Sequence, residues 1–237
     1  MPKSHAEWHV APHRPLEQLS SHVWRLEGEL ERTPIKRVMA IAKRKDGGLI
    51  VHSAIAADEP TMAELAKLGP VRAILVPNGF HRLDAPAFRA RFPEAEIICP
   101  PGAREAVEEV VPVSKTYDQV ASDGVVELQV LDGTGGREGA VIVRDSGGTT
   151  LVLNDLVFNM PHVKGLSGFV LRFITGSTGT PKVTRVARMF LISDKRAARA
   201  HLEKLAKLPD LKRIIVSHHA VIDQDPGAVL AAVASTL

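Results

Sequence analysis

Apolar positions fall into short runs with two different rhythms, and the rhythm changes along the chain. The segments "HVWRLEGEL" (22–30), "RVMAIAKRK" (37–45) and "LIVHSAI" (49–55) read as strands, with Asp46-Gly47-Gly48 at the reversal between the last two. "DEPTMAELAKLG" (58–69) then predicts a short helix, with Asp58 placed to cap it, Pro60 at an early position and Gly69 at its end. A β-α alternation follows in "VRAILVP" (71–77), "DAPAFRARF" (84–92), "EIICPP" (96–101) and "GAREAVEEV" (102–110). Such alternation predicts parallel strands joined by crossover helices.

The second half begins again with strands, "GVVELQVLDG" (124–133), "GAVIVRD" (139–145) and "TTLVLND" (149–155), the last two joined by the turn "SGG". "GLSGFVLRFITGSTGTP" (165–181) is Gly-rich and reads as a lid or connection; it lacks the spacing of a phosphate loop. Helices are expected over 182–192 and 194–208, the second capped by Ser193 or Asp194, then a strand "LKRIIVSHH" (211–219) and a last helix over 225–236. Two sheets sandwiched between outer helices accommodate this order. Residues 1–18 are polar and punctuated by proline, and read as a tail or strap; residues 19–237 read as a single domain. His5, His9 and His13 are spaced by four, but Pro12 breaks any helix that would align them.

A chain of 237 residues that is 45% hydrophobic can bury a substantial core. Its 30 basic and 27 acidic side chains are interspersed and leave a net charge of +3, so no nucleic-acid partner is expected. Lys182, Arg185, Arg188, Lys195, Arg196 and Arg199 read as a solvated surface, since aromatic interleaving is missing there. The single cysteine, Cys99, rules out an intrachain disulfide and any cysteine-based zinc cluster, and reads as a small buried hydrophobe. No run approaches the roughly 18 apolar residues of a bilayer span, so no membrane partner is expected, and the setting expected is a reducing cytoplasm.

Candidate chemistry collects in the histidines and their neighbours. His81, Asp155, His218 and His219 each lie just beyond the end of an apolar strand, where sites form in layered α/β proteins. His201 lies in a charged helix and is expected to face solvent; His22, beside Trp24, is expected to pack.

Across roughly residues 20–225, the order of elements, the strand end "LVLND" and the terminal "IIVSHHAVI" resemble the metallo-β-lactamase superfamily. The resemblance implies an α/β fold, a four-layer αββα sandwich of two mixed β-sheets flanked by helices, shared by hydrolases and some oxidoreductases. It also implies a metal loop, H-x-H-x-D-H, at "VPNGFHRLDAP" (76–86). One register places Asn78, Phe80, Arg82 and Leu83 in its slots; shifted by one, it places Gly79, His81, Leu83 and Asp84 there. Gly135, Gly136 or Arg137 stands where the family's next histidine falls. Asp155 matches the metal-bridging carboxylate, and His218 the last histidine, with His219 as a neighbour able to replace it.

Two readings stay open. In the first, His81, Asp155 and His218 hold one zinc, manganese or iron ion, with Asp84 as proton acceptor, and a small ester, amide, thioester or phosphoester is hydrolysed. In the second, the chain is a non-catalytic, metal-free member whose old cleft binds a small-molecule ligand or a protein. There Arg82 or Arg137 would fill the vacated metal volume and pair with Asp155. Loss of most hallmark ligands tilts the balance toward the second, and true β-lactamase activity is least expected.

Overall fold

The computed structural model describes residues 4–31 and 33–237. One sheet has seven strands in chain order: β1 (Glu17–Gln18), β2 (Val23–Glu29), β3 (Lys36–Lys43), β4 (Leu49–His52), β5 (Val71–Leu75), β6 (Glu96–Cys99) and β7 (Lys115–Thr116). Its pairings are antiparallel up to β4 and parallel from there on. The change occurs where helices α1 (Glu59–Leu68), α2 (Ala85–Arg91) and α3 (Arg104–Glu108) begin to intervene between strands. The second sheet contains β8 (Val126–Val130), β9 (Gly139–Asp145), β10 (Gly148–Leu153) and β11 (Leu211–Val216) in the order β11-β10-β9-β8. β10 and β11 are parallel, because the crossover between them carries α4 (Gly165–Phe169), α5 (Arg185–Phe190) and α6 (Lys195–Ala206). Helix α7 (Pro226–Ser235) follows β11.

Alternation along the strands sorts the apolar residues into three layers. Val38, Ala40, Ile50, Leu75 and Ile98 meet Val141, Val143, Val152 and Ile215 between the two sheets. Their strand neighbours Met39, Ile41, Val51, Ile74 and Ile97 turn the other way, onto Met62, Leu65, Phe88 and Val107 of α1 to α3. On the far side, Ile142, Leu151, Leu153, Ile214 and Val216 pack on Ala187, Leu202, Leu205, Leu230 and Val233 of α5, α6 and α7. The four-layer αββα sandwich follows. Gly139 is required at its centre, since a Cβ there would lie 2.3 Å from Cε2 of the buried Tyr117.

Local signals hold at most element ends. Asp58 accepts from the Thr61 amide at 3.0 Å, and Asp194 caps α6 through the Arg196 and Ala197 amides. Three expectations change. The helix expected over 102–110 opens as a 3₁₀ turn, Pro101–Ala103, and its α-helical part ends at Glu108. The Gly-rich stretch 165–181 is partly helical: α4 runs into a wider π-helical turn, Val170–Ile174. His201 is only 7% exposed, its Nδ1 lying 2.9 Å from Asp132 Oδ2, so a side chain on a charged helix is buried by a partner from another segment.

Near the N-terminus, the Trp8 ring lies 4.9 Å from that of Phe88, and its indole N–H donates to the Ala57 carbonyl. Cys99 is buried, which pushes its thiol up to about 11. Among the described residues no helix is long and apolar enough to cross a membrane.

His52, the last residue of β4, is buried with neither ring nitrogen hydrogen-bonded. Burial, helped by the charge of His81, lowers its pKa from 6.5 to about 3. Below pH 6.5 the unfolded chain therefore takes up a proton at His52 that the folded chain refuses, and stability falls as pH drops toward 3. In chelator-treated protein, His52→Leu is expected to flatten this acid limb by up to ~1.4 kcal/mol per pH unit without loss of stability at neutral pH. Urea unfolding of parent and variant across the acid range measures it; parallel acid limbs would refute it.

Candidate metal centre

Four strand ends supply the site. β4 and β5 run parallel, as do β10 and β11, so the residues just past their C-termini collect at one edge of the sandwich. Ser53 follows β4, Asn78 and His81 lie in the loop after β5, Asn154 and Asp155 follow β10, and Ser217 and His218 follow β11. The two sheets are tied here by the Val38 amide of β3, which donates to the Ser217 carbonyl at 2.9 Å, and within the second sheet the Ser217 hydroxyl bonds Asn154 Oδ1.

Asp155 is the hub. Its Oδ1 lies 3.0 Å from His81 Nε2 and 3.0 Å from His218 Nε2, and its Oδ2 accepts from the Asn78 amide nitrogen at 2.8 Å. Ligating atoms of His81, Asp155 and His218 all fall within 4.8 Å of one another, and all three residues are buried. The two imidazoles meet edge to face at 5.0 Å, and Phe158 stacks on His218 at 4.6 Å. Burial works to raise the Asp155 carboxyl, but His81 and His218 outweigh it and hold it well below the usual carboxylate range. His81 moves down as well, its burial prevailing over the pull of Asp155.

Orientation of the rings decides what the cluster can hold. His218 Nδ1 sits 2.8 Å from the Lys36 carbonyl, which can only accept, so its hydrogen is committed there. The Nε2 lone pair then points at a carboxylate oxygen, an arrangement satisfied by a second proton on the ring or by a cation held between the two. A metal-binding histidine is fixed in the same way by a carbonyl on its other nitrogen. His81 Nδ1 is 2.8 Å from the Ser53 hydroxyl, which can donate or accept. Ser53 has φ +55 and His219 φ +66, both in the left-handed region, and these costly conformations flank the site. Two imidazole nitrogens and one carboxylate oxygen form a donor set that fits a single divalent ion.

The remaining expected residues have other partners. Asp84 does not line the cleft over the triad; Arg37 Nη1 reaches it at 2.9 Å, His5 Nδ1 at 2.7 Å and the Ala56 amide at 3.3 Å. His219 turns away and accepts from the Lys36 amide at 3.2 Å, and burial lowers it to about 4. Neither arginine expected in the vacated metal volume is there. Arg82 bonds the Ala106 carbonyl and Glu109, and Arg137 bonds the Thr134 and Phe190 carbonyls. Asn78 stands beside Asp155 instead, with Glu138 Oε1 2.5 Å from its amide nitrogen. Glu138 was missed because the residues sought in that Gly-rich loop were histidines or their direct replacements; its one sequence signal is an acid opening a buried strand. Burial, then the charge of Asp155, pushes the Glu138 carboxyl well above its usual range, so it is held neutral.

A cleft of about 410 Å³ opens over the triad. Leu30, Ile35, Leu83, Phe158, Leu171 and Phe190 give it mostly apolar walls, and among the described residues Arg37 is its one cationic side chain besides the histidines.

No protein-family model matches the chain, and no curated protein matches it. Solved structures do. A metallo-β-lactamase from Erythrobacter litoralis superposes with a TM-score of 0.62 at 16% identity, over 94% of this chain and 96% of the other. One from Pontibacter korlensis gives 0.61 at 14%, over 95% and 100%. FIM-1 from Pseudomonas aeruginosa, in a mono-zinc form, gives 0.60 at 13%, over 96% of both chains. Likeness of this extent, together with two mixed sheets between helical layers, shows that the chain has the metallo-β-lactamase superfamily fold.

Proposed function

We propose that His81, Asp155 and His218 hold one divalent metal ion and that the cleft above them hydrolyses a small ester, amide, thioester or phosphoester with an apolar portion. The observation that carries this reading is the aim of both imidazole Nε2 atoms at a single oxygen of a buried carboxylate, 3.0 Å from each. Two nitrogens favour zinc or iron over manganese. When bound, such an ion supplies Lewis-acid polarisation of a carbonyl or phosphoryl oxygen.

The chain's own residues do the rest. Lys36, through its carbonyl, and Ser53 fix the ring orientations, and Asn78 holds Asp155 so that Oδ1 faces the histidines. If His81 held the ion through Nε2, its Nδ1 hydrogen would be donated to Ser53 Oγ. The apolar walls exclude water from around the reacting group and bind the substrate's apolar portion. Asp84, paired with Arg37, acts by positioning that guanidinium at the cleft rather than by accepting a proton there. The second metal position of the family is replaced: Asn78, Phe80 and Arg82 offer no ligand, and neutral Glu138 backs Asn78. FIM-1, one of the similar structures, is described in a mono-zinc form, which supports one-ion occupancy of this fold.

Plasma mass spectrometry on tag-free protein, dialysed and then offered zinc, iron or manganese, is expected to find about one equivalent in the parent and none in Asp155→Ala or His218→Ala. A screen of nitrophenyl esters, thioesters and phosphoesters should then show activity that follows the metal. No stoichiometric metal under any condition would sink the metallohydrolase reading and leave the metal-free cleft as a ligand site.

Ser53→Ala and Ser53→Gly both delete the hydroxyl, but only glycine relaxes a left-handed backbone. Both are expected to weaken zinc binding by about 10–100-fold in chelator competition. Weakening by alanine alone would assign the effect to backbone strain, not to the hydrogen bond on His81.

A further inference from the structure

The cleft's outer rim carries a surface that the chemistry below it does not explain. Of the ten exposed large apolar side chains among the described residues, eight lie between Leu166 and Phe190, and Phe80 stands at the same cleft. Leu166 is 82% exposed, Met189 70%, and Phe169, Phe173, Ile174 and Phe190 are each more than half exposed. Isolated exposed apolar residues are ordinary, but a continuous set is not.

Continuity here is physical. The Phe169 and Phe173 rings touch at 4.9 Å, and Arg185 on α5 donates to the Phe173 and Ile174 carbonyls, fastening α5 to the π-helical turn. Val186 and Phe190 of α5 and Leu171 of the turn line one cleft. The segment is held in shape at Gly168, where a Cβ would come within 1.7 Å of the Val163 carbonyl oxygen.

Charge selects the occupant. Between Asp155 and Asp194 there is no acidic residue, although the chain has 27, while Lys164, Arg172, Lys182, Arg185 and Arg188 all fall there. Hydrogen bonds of these cations go to carbonyl and hydroxyl oxygens: Lys182 to Thr178, Arg185 to the turn, and Arg188 to Val183 and Thr236. Arg172 lies over the Phe173 ring. Outward aromatic and aliphatic groups interleaved with uncompensated cations on short helices are the composition of a segment that lies in a lipid interface. A second copy of the chain fits poorly, because a two-fold contact would set this cationic surface against itself.

We infer that residues 164–190 form a peripheral docking surface for an anionic lipid bilayer, seating the mouth of the cleft against the headgroups. The lack of a run long enough to span a bilayer does not bear on this, since a surface segment needs neither length nor uniform hydrophobicity. The inference stands on residues outside the triad and does not depend on metal binding.

Co-sedimentation with phosphatidylcholine vesicles, with and without phosphatidylglycerol, tests it. The full chain is expected to bind the anionic vesicles, more weakly as salt rises, and to leave pure phosphatidylcholine largely in the supernatant. Lys164→Gln with Arg172→Gln should weaken binding about fivefold for each charge removed. Phe169→Ser with Phe173→Ser should abolish it, with circular dichroism unchanged because both rings are exposed. Lys67→Gln with Lys207→Gln, also exposed but on other elements, should have no effect. No binding of the parent, or equal weakening by the Lys67 and Lys207 pair, would overturn the proposal. So would a serine variant that keeps its vesicle binding but turns a dimer into a monomer, which would assign the surface to a second copy.

Discussion

A carboxylate taken out of water must be met by donors or cations on nearly every side, and in this fold that requirement falls on Asp155. Leaving such a group short of one partner costs about 3–5 kcal/mol, a large share of the stability of a domain this size. Three side chains from two separate loops face it: His81 and Asn78 from the loop after β5, and His218 from the end of β11. Those loops belong to different sheets, so satisfying one carboxylate also fixes how the two sheets meet at this edge.

Several costly features make sense only against that demand. Ser53 and His219 take left-handed backbone conformations that non-glycine residues rarely adopt; Ser53 itself supports a triad histidine, and His219 directly follows one. Ser53 places its hydroxyl on His81, while the turn at His219 lets His218 face Asp155 and sends its own ring to the Lys36 amide. Glu138 is the converse case. It is buried beside an ionised aspartate and therefore keeps its proton, so the centre holds one negative charge where two carboxylates are present.

Most of the fold was legible because strand alternation and helix caps act over a few residues, and all three apolar layers can be read from them. The convergence of His81, Asp155 and His218 was also legible, through one positional rule: each lies just beyond the end of an apolar strand. What could not be read depends on contacts between distant segments. The burial of His201 requires Asp132, 69 residues away in sequence, and the link from Glu138 to Asn78 spans 60. Asp84 looked catalytic from the loop alone, but the Arg37 that claims it comes from β3. Arg82 and Arg137 were credible fillers of the metal volume until carbonyls in other segments were seen to hold them. The helical turns of 165–174 were hidden by glycines; one of them, Gly168, is there for its close approach to Val163 rather than for looseness.

Charge balance sets the capacity of the centre. Two neutral imidazoles and one carboxylate would offset one of the two charges on a proposed divalent ion, which a partly open cleft would tolerate if solvent or an anionic substrate supplied the remainder. A second ion at short range would need further anionic ligands. The groups nearest the other face of Asp155 are an amide and a carboxylic acid held neutral, and the loop positions that could have helped carry Phe80 and Arg82. Adding a second cation would require ionising Glu138 and displacing the Asn78 amide from Asp155, giving up two hydrogen bonds in a buried site. The same residues that satisfy Asp155 without a metal would therefore limit any loaded state to one ion, and would do so without altering the fold.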